Sequence, residues 1–188
     1  MRWFFDIIKY MYVPIILGTA RKGRQSEKVS NFMLQEAIKA GLDSEIIDVR
    51  DYRIEATDST VESPQAKKLA EKIEKANGLI IVSPEYNHGY PGELKMMLDM
   101  LYKEYFTKPV GFCGVSIGGL GGVRAVEQLR LISIEFHMLP IREALYFSTV
   151  QNLFYENGNI KDESYFKKVK VFLDELILYA KFIKNKKI

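Results

Sequence analysis

Short apolar runs alternate along this chain with longer stretches in which apolar positions recur every three or four residues. The runs at 12–17, 44–49, 79–83, 109–115 and about 140–142 predict five strands. Between them, Val29, Phe32, Met33 and Ala37 predict a first helix, and Ala66, Leu69, Ala70 and Ile73 a second. Leu94, Met97, Leu98 and Leu101 mark a third, a fourth runs to about His137, and a fifth covers about 163–182. Ser63 and Pro64 have the N-cap and N1 signature of a helix start, and Asn77-Gly78 predicts a left-handed stop. Regular β-α alternation predicts an α/β domain, a doubly wound parallel sheet with helices on both faces.

Composition narrows the class. The 188 residues, 47% hydrophobic and 27% charged, suit one soluble domain with a full core. No repeat or linker divides them. The net charge of +3 gives no basis for a nucleic-acid partner. The single cysteine, Cys113, lies in an apolar run, which predicts a buried, inert thiol in a reducing, cytoplasmic setting. Residues 1–10 read as an N-terminal extension, with Met11 an alternative start and 11–188 the domain. Gly18 and Ala20 stand where a signal cleavage site would want them, but Asp6 and Lys9 interrupt the apolar stretch. The stretch is also too broken to span a membrane, so no membrane partner is expected.

Three loops at the carboxyl ends of strands carry the candidate chemistry, since open parallel sheets bind ligands there. In "GTARKGRQS" (18–26), hydroxyls, Arg21 and the N–H groups of a helix start suit a phosphate. The alternative is a Ser26 N-cap with solvated arginines. Gly18 and Gly23 have P-loop spacing, but Arg24 and Gln25 replace the Lys and Ser or Thr that nucleotide hydrolysis needs. In "SPEYNHGYPGELK" (83–95), Pro84 and Pro91 stiffen a polar, aromatic loop beyond a buried strand. "VSIGGLGGVRA" (115–125) contains an intact G-x-S-x-G at 114–118, the context of a hydrolase nucleophile, Ser116. Its base would have to be His88 or His137. Four glycines around Ser116 more simply let backbone approach a flat ligand. Two distant histidines without companion ligands give no metal site.

The stretch "SPEYNHGYPGELKMMLD" (83–99) resembles the hallmark of NAD(P)H-dependent FMN reductases with the flavodoxin-like fold. The first and third loops are similar to that family's phosphate-binding and glycine-rich loops, over about residues 12–145, in its order and spacing. Met96 stands where the family often has asparagine. The resemblance implies a three-layer sandwich with a five-stranded parallel sheet in the order 2-1-3-4-5. It implies that Thr19, Arg21, Gln25 and Ser26 hold the FMN phosphate, and that Pro84, Glu85, Tyr86 and Asn87 line the isoalloxazine ring. Ser116, Gly118 and Gly119 would border its pyrimidine end. NADPH or NADH would then pass hydride to flavin N5, and the flavin electrons to a quinone, azo, metal or flavin acceptor by a ping-pong scheme. The resemblance implies no catalytic side chain; Glu85 reads as a structural hydrogen-bonding or surface residue, with a proton donor as the alternative. It also implies a homodimer or homotetramer whose partner subunit contributes to the cleft. The aromatic segments 102–106 and 146–155 suit either that interface or the core. Rival readings are an FMN electron carrier that never meets NAD(P)H, a flavin-free interaction protein, and a serine hydrolase using Ser116.

Overall fold

A computed structural model describes residues 11–57 and 61–185; the expected extension at 1–10 lies outside them. Five parallel strands, β1 (Ile15–Leu17), β2 (Ile46–Asp48), β3 (Leu79–Pro84), β4 (Pro109–Val115) and β5 (Leu139–Phe147), lie in the order β2-β1-β3-β4-β5. This is the expected flavodoxin-like order, with its switch point between β1 and β3. Strands β1, β3 and β4 are buried along their whole length, as interior parallel strands covered on both faces must be.

The helices divide between the two faces. Helices α1 (Ser26–Lys39) and α5 (Ser164–Asn185) cover one, where Phe32 of α1 and Phe172 of α5 join Val82 and Cys113 in a single core. Helices α2 (Pro64–Lys75), α3 (Gly92–Leu98) and α4 (Val123–Glu135) cover the other, burying Leu69, Met97 and Leu129 against Ile16, Ile81 and Phe112. Each such side chain contributes about 1.5–3 kcal/mol on burial. Burial also pushes the Cys113 thiol up, so it stays protonated and inert. The aromatic segments split: Tyr105, Phe147 and Phe154 are core, whereas Tyr102, Tyr146 and Tyr155 stay exposed.

Local signals succeed where chemistry is local. Ser63 caps α2, its hydroxyl accepting from the Ala66 N–H at 3.1 Å, with Pro64 in the first turn. The far end of that helix corrects the sequence reading. Neither Asn77 nor Gly78 takes a positive φ, and Ala76 is already extended. Lys108 ends the helix instead, donating from Nζ to the Glu74 and Ala76 carbonyls. Asn77 Oδ1 accepts from the Tyr12 N–H.

Strand β5 is nine residues long rather than the expected short segment, because a bulge at 141–143 interrupts its alternation. The bulged N–H groups of Arg142 and Glu143 donate to the Glu175 carboxylate, and the Ile141 and Arg142 carbonyls accept from Arg130. Side chains from α4 and α5 thus satisfy an edge that would otherwise pair with other chains. Strands β1 and β2 are shorter than expected, with Tyr12 and Asp43 forming only an isolated bridge. No helix among the described residues is long and apolar enough to cross a membrane.

Candidate functional site

The loops after β1, β3 and β4 surround one cleft of about 260 Å³ at the carboxyl edge of the sheet. Its walls include Arg21, Gln25, Ser26, Pro84, Glu85, Tyr86 and Ser116. Thr19, Asn87, Gly118 and Gly119 do not line it.

The first loop is held by two arginines, Arg24, for which solvation was the alternative reading, and Arg50, which lies outside the motif. Arg24 is buried, its guanidinium bonded to the Thr19 carbonyl at 2.6 Å and paired through both amino groups with Asp48 at the end of β2. Arg50 takes the Ala20 and Arg21 carbonyls. Burial opposes the charge on Asp48, but Arg24 and the Arg50 N–H outweigh it and hold its carboxyl below the usual range. The loop is therefore set by fixed cations behind it, while Arg21 faces the cleft with its guanidinium 4.9 Å over the Tyr86 ring.

Helix α1 starts one residue earlier than a Ser26 cap implies. Gln25 occupies the N-cap position, in helical conformation and with no side-chain cap bond, and Ser26 is the first helical residue. The buried atoms Ser26 Oγ and Gln25 Oε1 have no hydrogen-bond partner. They stand beside the first-turn N–H groups, which no helix satisfies internally. Orphaned buried polar atoms cost about 1–3 kcal/mol each unless a ligand meets them. The Ser26 hydroxyl and a 14-residue helix N-terminus opening on a cleft make a donor set for an anion, to which Gln25 Oε1, an acceptor, adds nothing. FMN fits this end of the site through its phosphate.

The second loop is a two-residue reverse turn. Tyr86 and Gly89 exchange backbone hydrogen bonds of 2.8 and 3.0 Å, and Asn87 and His88 between them both take positive φ, as a type I′ turn requires. The turn puts Asn87 and His88 in solvent and tilts Tyr86 toward the cleft. Gln128 on α4 donates to the His88 carbonyl and pins the turn.

Glu85 ties this loop to the third. Its carboxylate accepts from the Arg124 N–H at 3.1 Å and from the Arg124 guanidinium at 2.8 Å, capping the first turn of α4. A carboxylate committed to two donors anchors loops rather than shuttling protons.

In the third loop the glycines have two uses. Gly122 has φ +87, and a Cβ there would stand 2.6 Å from the Val115 nitrogen, so only glycine lets these backbones pack. Gly118 and Gly119 are unlike it: a Cβ would meet nothing within 4 Å at Gly119, and only the Ser116 hydroxyl at Gly118. Open backbone beside the cleft mouth is what a flat ring would cover. Ser116 Oγ accepts from the Gly118 N–H at 3.0 Å. Among the described residues neither imidazole bonds to it. His137 lies before β5, at the opposite end of the sheet, against the Phe106 ring. The hydrolase reading therefore lacks its base. Among the described residues, no group of three or more metal-ligating side chains is placed to hold an ion.

Two contributors escaped the sequence reading. Val150 lines the cleft from the turn after β5, its N–H donating to the Ser116 carbonyl. Glu93, at the start of α3, reaches back to the first loop, and its Oε1 accepts from the Ala20 N–H at 2.9 Å and from Thr19 Oγ1 at 3.2 Å. Its acidity at a helix start was the sole available signal.

Comparison with known proteins gives the family and the fold. The family model described as NADPH-dependent FMN reductase matches residues 11–152. A quinone reductase from Pseudomonas putida is 27% identical over 161 residues, 81% of this chain and 86% of that protein. The NADH:(hydroxy)cinnamate reductase subunit CrdA from Vibrio ruber is 31% identical over 177 residues, covering 89% and 86%. Among solved structures, the flavoenzyme NAD(P)H:(acceptor) oxidoreductase FerB from Paracoccus denitrificans superposes with a TM-score of 0.77 at 19% identity, covering 91% and 97%; that likeness speaks to the fold.

Proposed function

This chain belongs to the NADPH-dependent FMN reductase family, and from that premise we propose that its cleft holds FMN and that the protein oxidises NAD(P)H to reduce small quinone- or azo-type acceptors. The observation that carries the reading is the orphaned Ser26 hydroxyl and the bare α1 N-terminus, opening on the cleft between the loops after β1, β3 and β4.

Bound FMN would supply the hydride and electron transfer between nicotinamide and acceptor. The chain's own residues bind and orient. Ser26, Gln25, the first-turn N–H groups of α1 and Arg21 hold the phosphate. Pro84, Glu85 and Tyr86 line the ring from the second loop, mainly through backbone, and Ser116 with Gly118 and Gly119 borders it from the third. Thr19 and Asn87 act from behind: Thr19 is buried in the bonds that shape the first loop, and Asn87 supplies the turn that places Tyr86. No side chain is needed as acid or base.

The donor and acceptor share the open mouth, in a ping-pong order. A homodimer or homotetramer would cover that mouth. Support comes from Ile117, which lines the cleft and is 71% exposed, from Leu120 in the same loop, 55% exposed, and from the exposed Leu131 and Ile134 of α4. The free, buried Cys113 suits a cytoplasmic setting.

The test is the visible spectrum of the purified protein before and after FMN addition and desalting. A retained, perturbed flavin spectrum that bleaches with anaerobic NADPH or NADH, followed by steady turnover with a quinone, supports a reductase. Retained flavin that no nicotinamide bleaches identifies an electron carrier. No retained flavin overturns the site.

A further inference from the structure

Resting on that reading, we propose that Glu93 is a positioning residue that sets the anion-facing and ring-facing loops as one unit, through Thr19 and the Tyr86 hydroxyl. Donors and acceptors at one buried oxygen determine the arrangement. Thr19 is fully buried, and its Oγ1 has three neighbours: the Arg21 N–H at 3.2 Å, Tyr86 OH at 3.1 Å and Glu93 Oε1 at 3.2 Å. A hydroxyl offers one proton and two lone pairs. The Arg21 N–H can only donate, so it takes one lone pair. An ionised carboxylate can only accept, so the Thr19 proton goes to Glu93. The remaining lone pair must accept from Tyr86, which fixes the direction of a hydrogen bond that geometry alone leaves open.

Glu93 is ionised at neutral pH. Burial opposes its charge, but bonds from the Ala20 N–H, its own backbone N–H and Thr19 outweigh burial and hold its carboxyl below the ordinary value. The consequence reaches the cleft at two points. The Ala20 and Arg21 N–H groups are turned inward, which orients the loop that presents Arg21 and Ser26 to an anion. The Tyr86 proton also points inward, so the tyrosine oxygen offers only lone pairs on its other side, and the ring is held where Arg21 lies over it. A helix of the opposite face thereby couples both loops through three hydrogen bonds.

The coupling makes a cycle the right experiment. FMN dissociation constants would be measured, by quenching of flavin fluorescence, for wild type, Glu93→Ala, Tyr86→Phe and the double variant. Glu93→Ala is expected to weaken binding about tenfold, the loss of a charge-assisted bond in a partly buried site. The double variant should be no weaker than Glu93→Ala, because the tyrosine acts through the same chain. Glu93→Gln, which keeps an acceptor oxygen, should recover binding to within about threefold of wild type. Strictly additive losses, or Glu93→Ala binding like wild type, overturn the proposal.

A second reading needs no cofactor. Amide hydrogen exchange at Ala20 and Arg21 in the apoprotein should accelerate at least about tenfold in Glu93→Ala, and at Arg21 in the isosteric Thr19→Val, which cuts the same chain should Glu93→Ala not fold. Unchanged exchange overturns the inference independently of flavin. Failure of the wild type to bind FMN, with exchange as expected, would instead overturn the assignment of the cleft.

Discussion

Replacing Arg24 by methionine keeps the length and apolar stem of the side chain and removes its guanidinium. Four bonds go with it: one to the Thr19 carbonyl, two to the Asp48 carboxylate and a long one of 3.4 Å from Nε to Glu27. Breaking a fully buried ion pair costs about 3–5 kcal/mol, because the surviving charge is stranded. Here Asp48 is 23% exposed and keeps the Arg50 N–H at 3.0 Å, so water and that bond recover part of the loss. A net cost of about 2–3 kcal/mol remains. For a chain of this size each kcal/mol lowers Tm by roughly 2–4 °C, so thermal unfolding followed by circular dichroism should fall by about 5–10 °C. Arg24→Lys should recover only part, since an ammonium cannot form the two-pronged pair. With the Thr19 carbonyl released, the loop bearing Arg21 and Ser26 also loses its backing. FMN affinity should drop about tenfold, or 1.4 kcal/mol. A Tm within about 1 °C of wild type would refute the account of how this loop is held, whatever happened to flavin binding.

Other residues give separable outcomes. Gly122→Ala forces a positive φ and a 2.6 Å contact on Val115, and should cost at least about 2 kcal/mol in denaturant unfolding. Gly119→Ala meets nothing; its stability should stay within about 0.5 kcal/mol of wild type while FMN titration shows weaker binding, and equal behaviour of the two variants would contradict the division of labour among these glycines. Glu85→Gln should lower stability by about 1–2 kcal/mol through the Arg124 link and leave the shape of the kcat–pH profile unchanged; loss of one limb would restore the proton-donor role. Acid should destabilise the protein in a definite window. Asp48 and Glu93 both have folded pKa values below their ordinary 3.8 and 4.5, so the native state binds fewer protons than the unfolded one there. Their contribution is full above those values and is lost as pH falls through them toward the folded values. Tm should therefore hold from pH 7 to about 5 and drop below, less steeply in Arg24→Met, and a pH-independent Tm down to about 3 would contradict it.

The pattern of apolar runs was enough to read the sheet, its parallel sense and the number of helices, because burial on both faces imposes that pattern locally. The motif at 83–95 likewise announced a stiff loop at a strand end, and two of its residues, Asn87 and His88, supply the positive φ values its turn uses. Ser63 announced a helix start for the same reason: its cap bond spans three residues. Other features depend on partners far away in the chain. The end of α2 is fixed by Lys108, the β5 bulge by Arg130 and Glu175, and the first loop by Asp48 and Arg50. Nothing near Arg24 says whether it is solvated or buried; that depends on Asp48 at the end of the neighbouring strand. Nor does the chain near Glu93 show that Thr19, 74 residues away, accepts its reach. Sequence by itself set which segments become strands and helices and which three loops share an edge, because those follow from short-range periodicity and chain connectivity. Tertiary structure alone decided which side chains in those loops face the cleft and which stand behind it, because that depends on charges and hydrogen-bond partners that meet only when the sheet assembles.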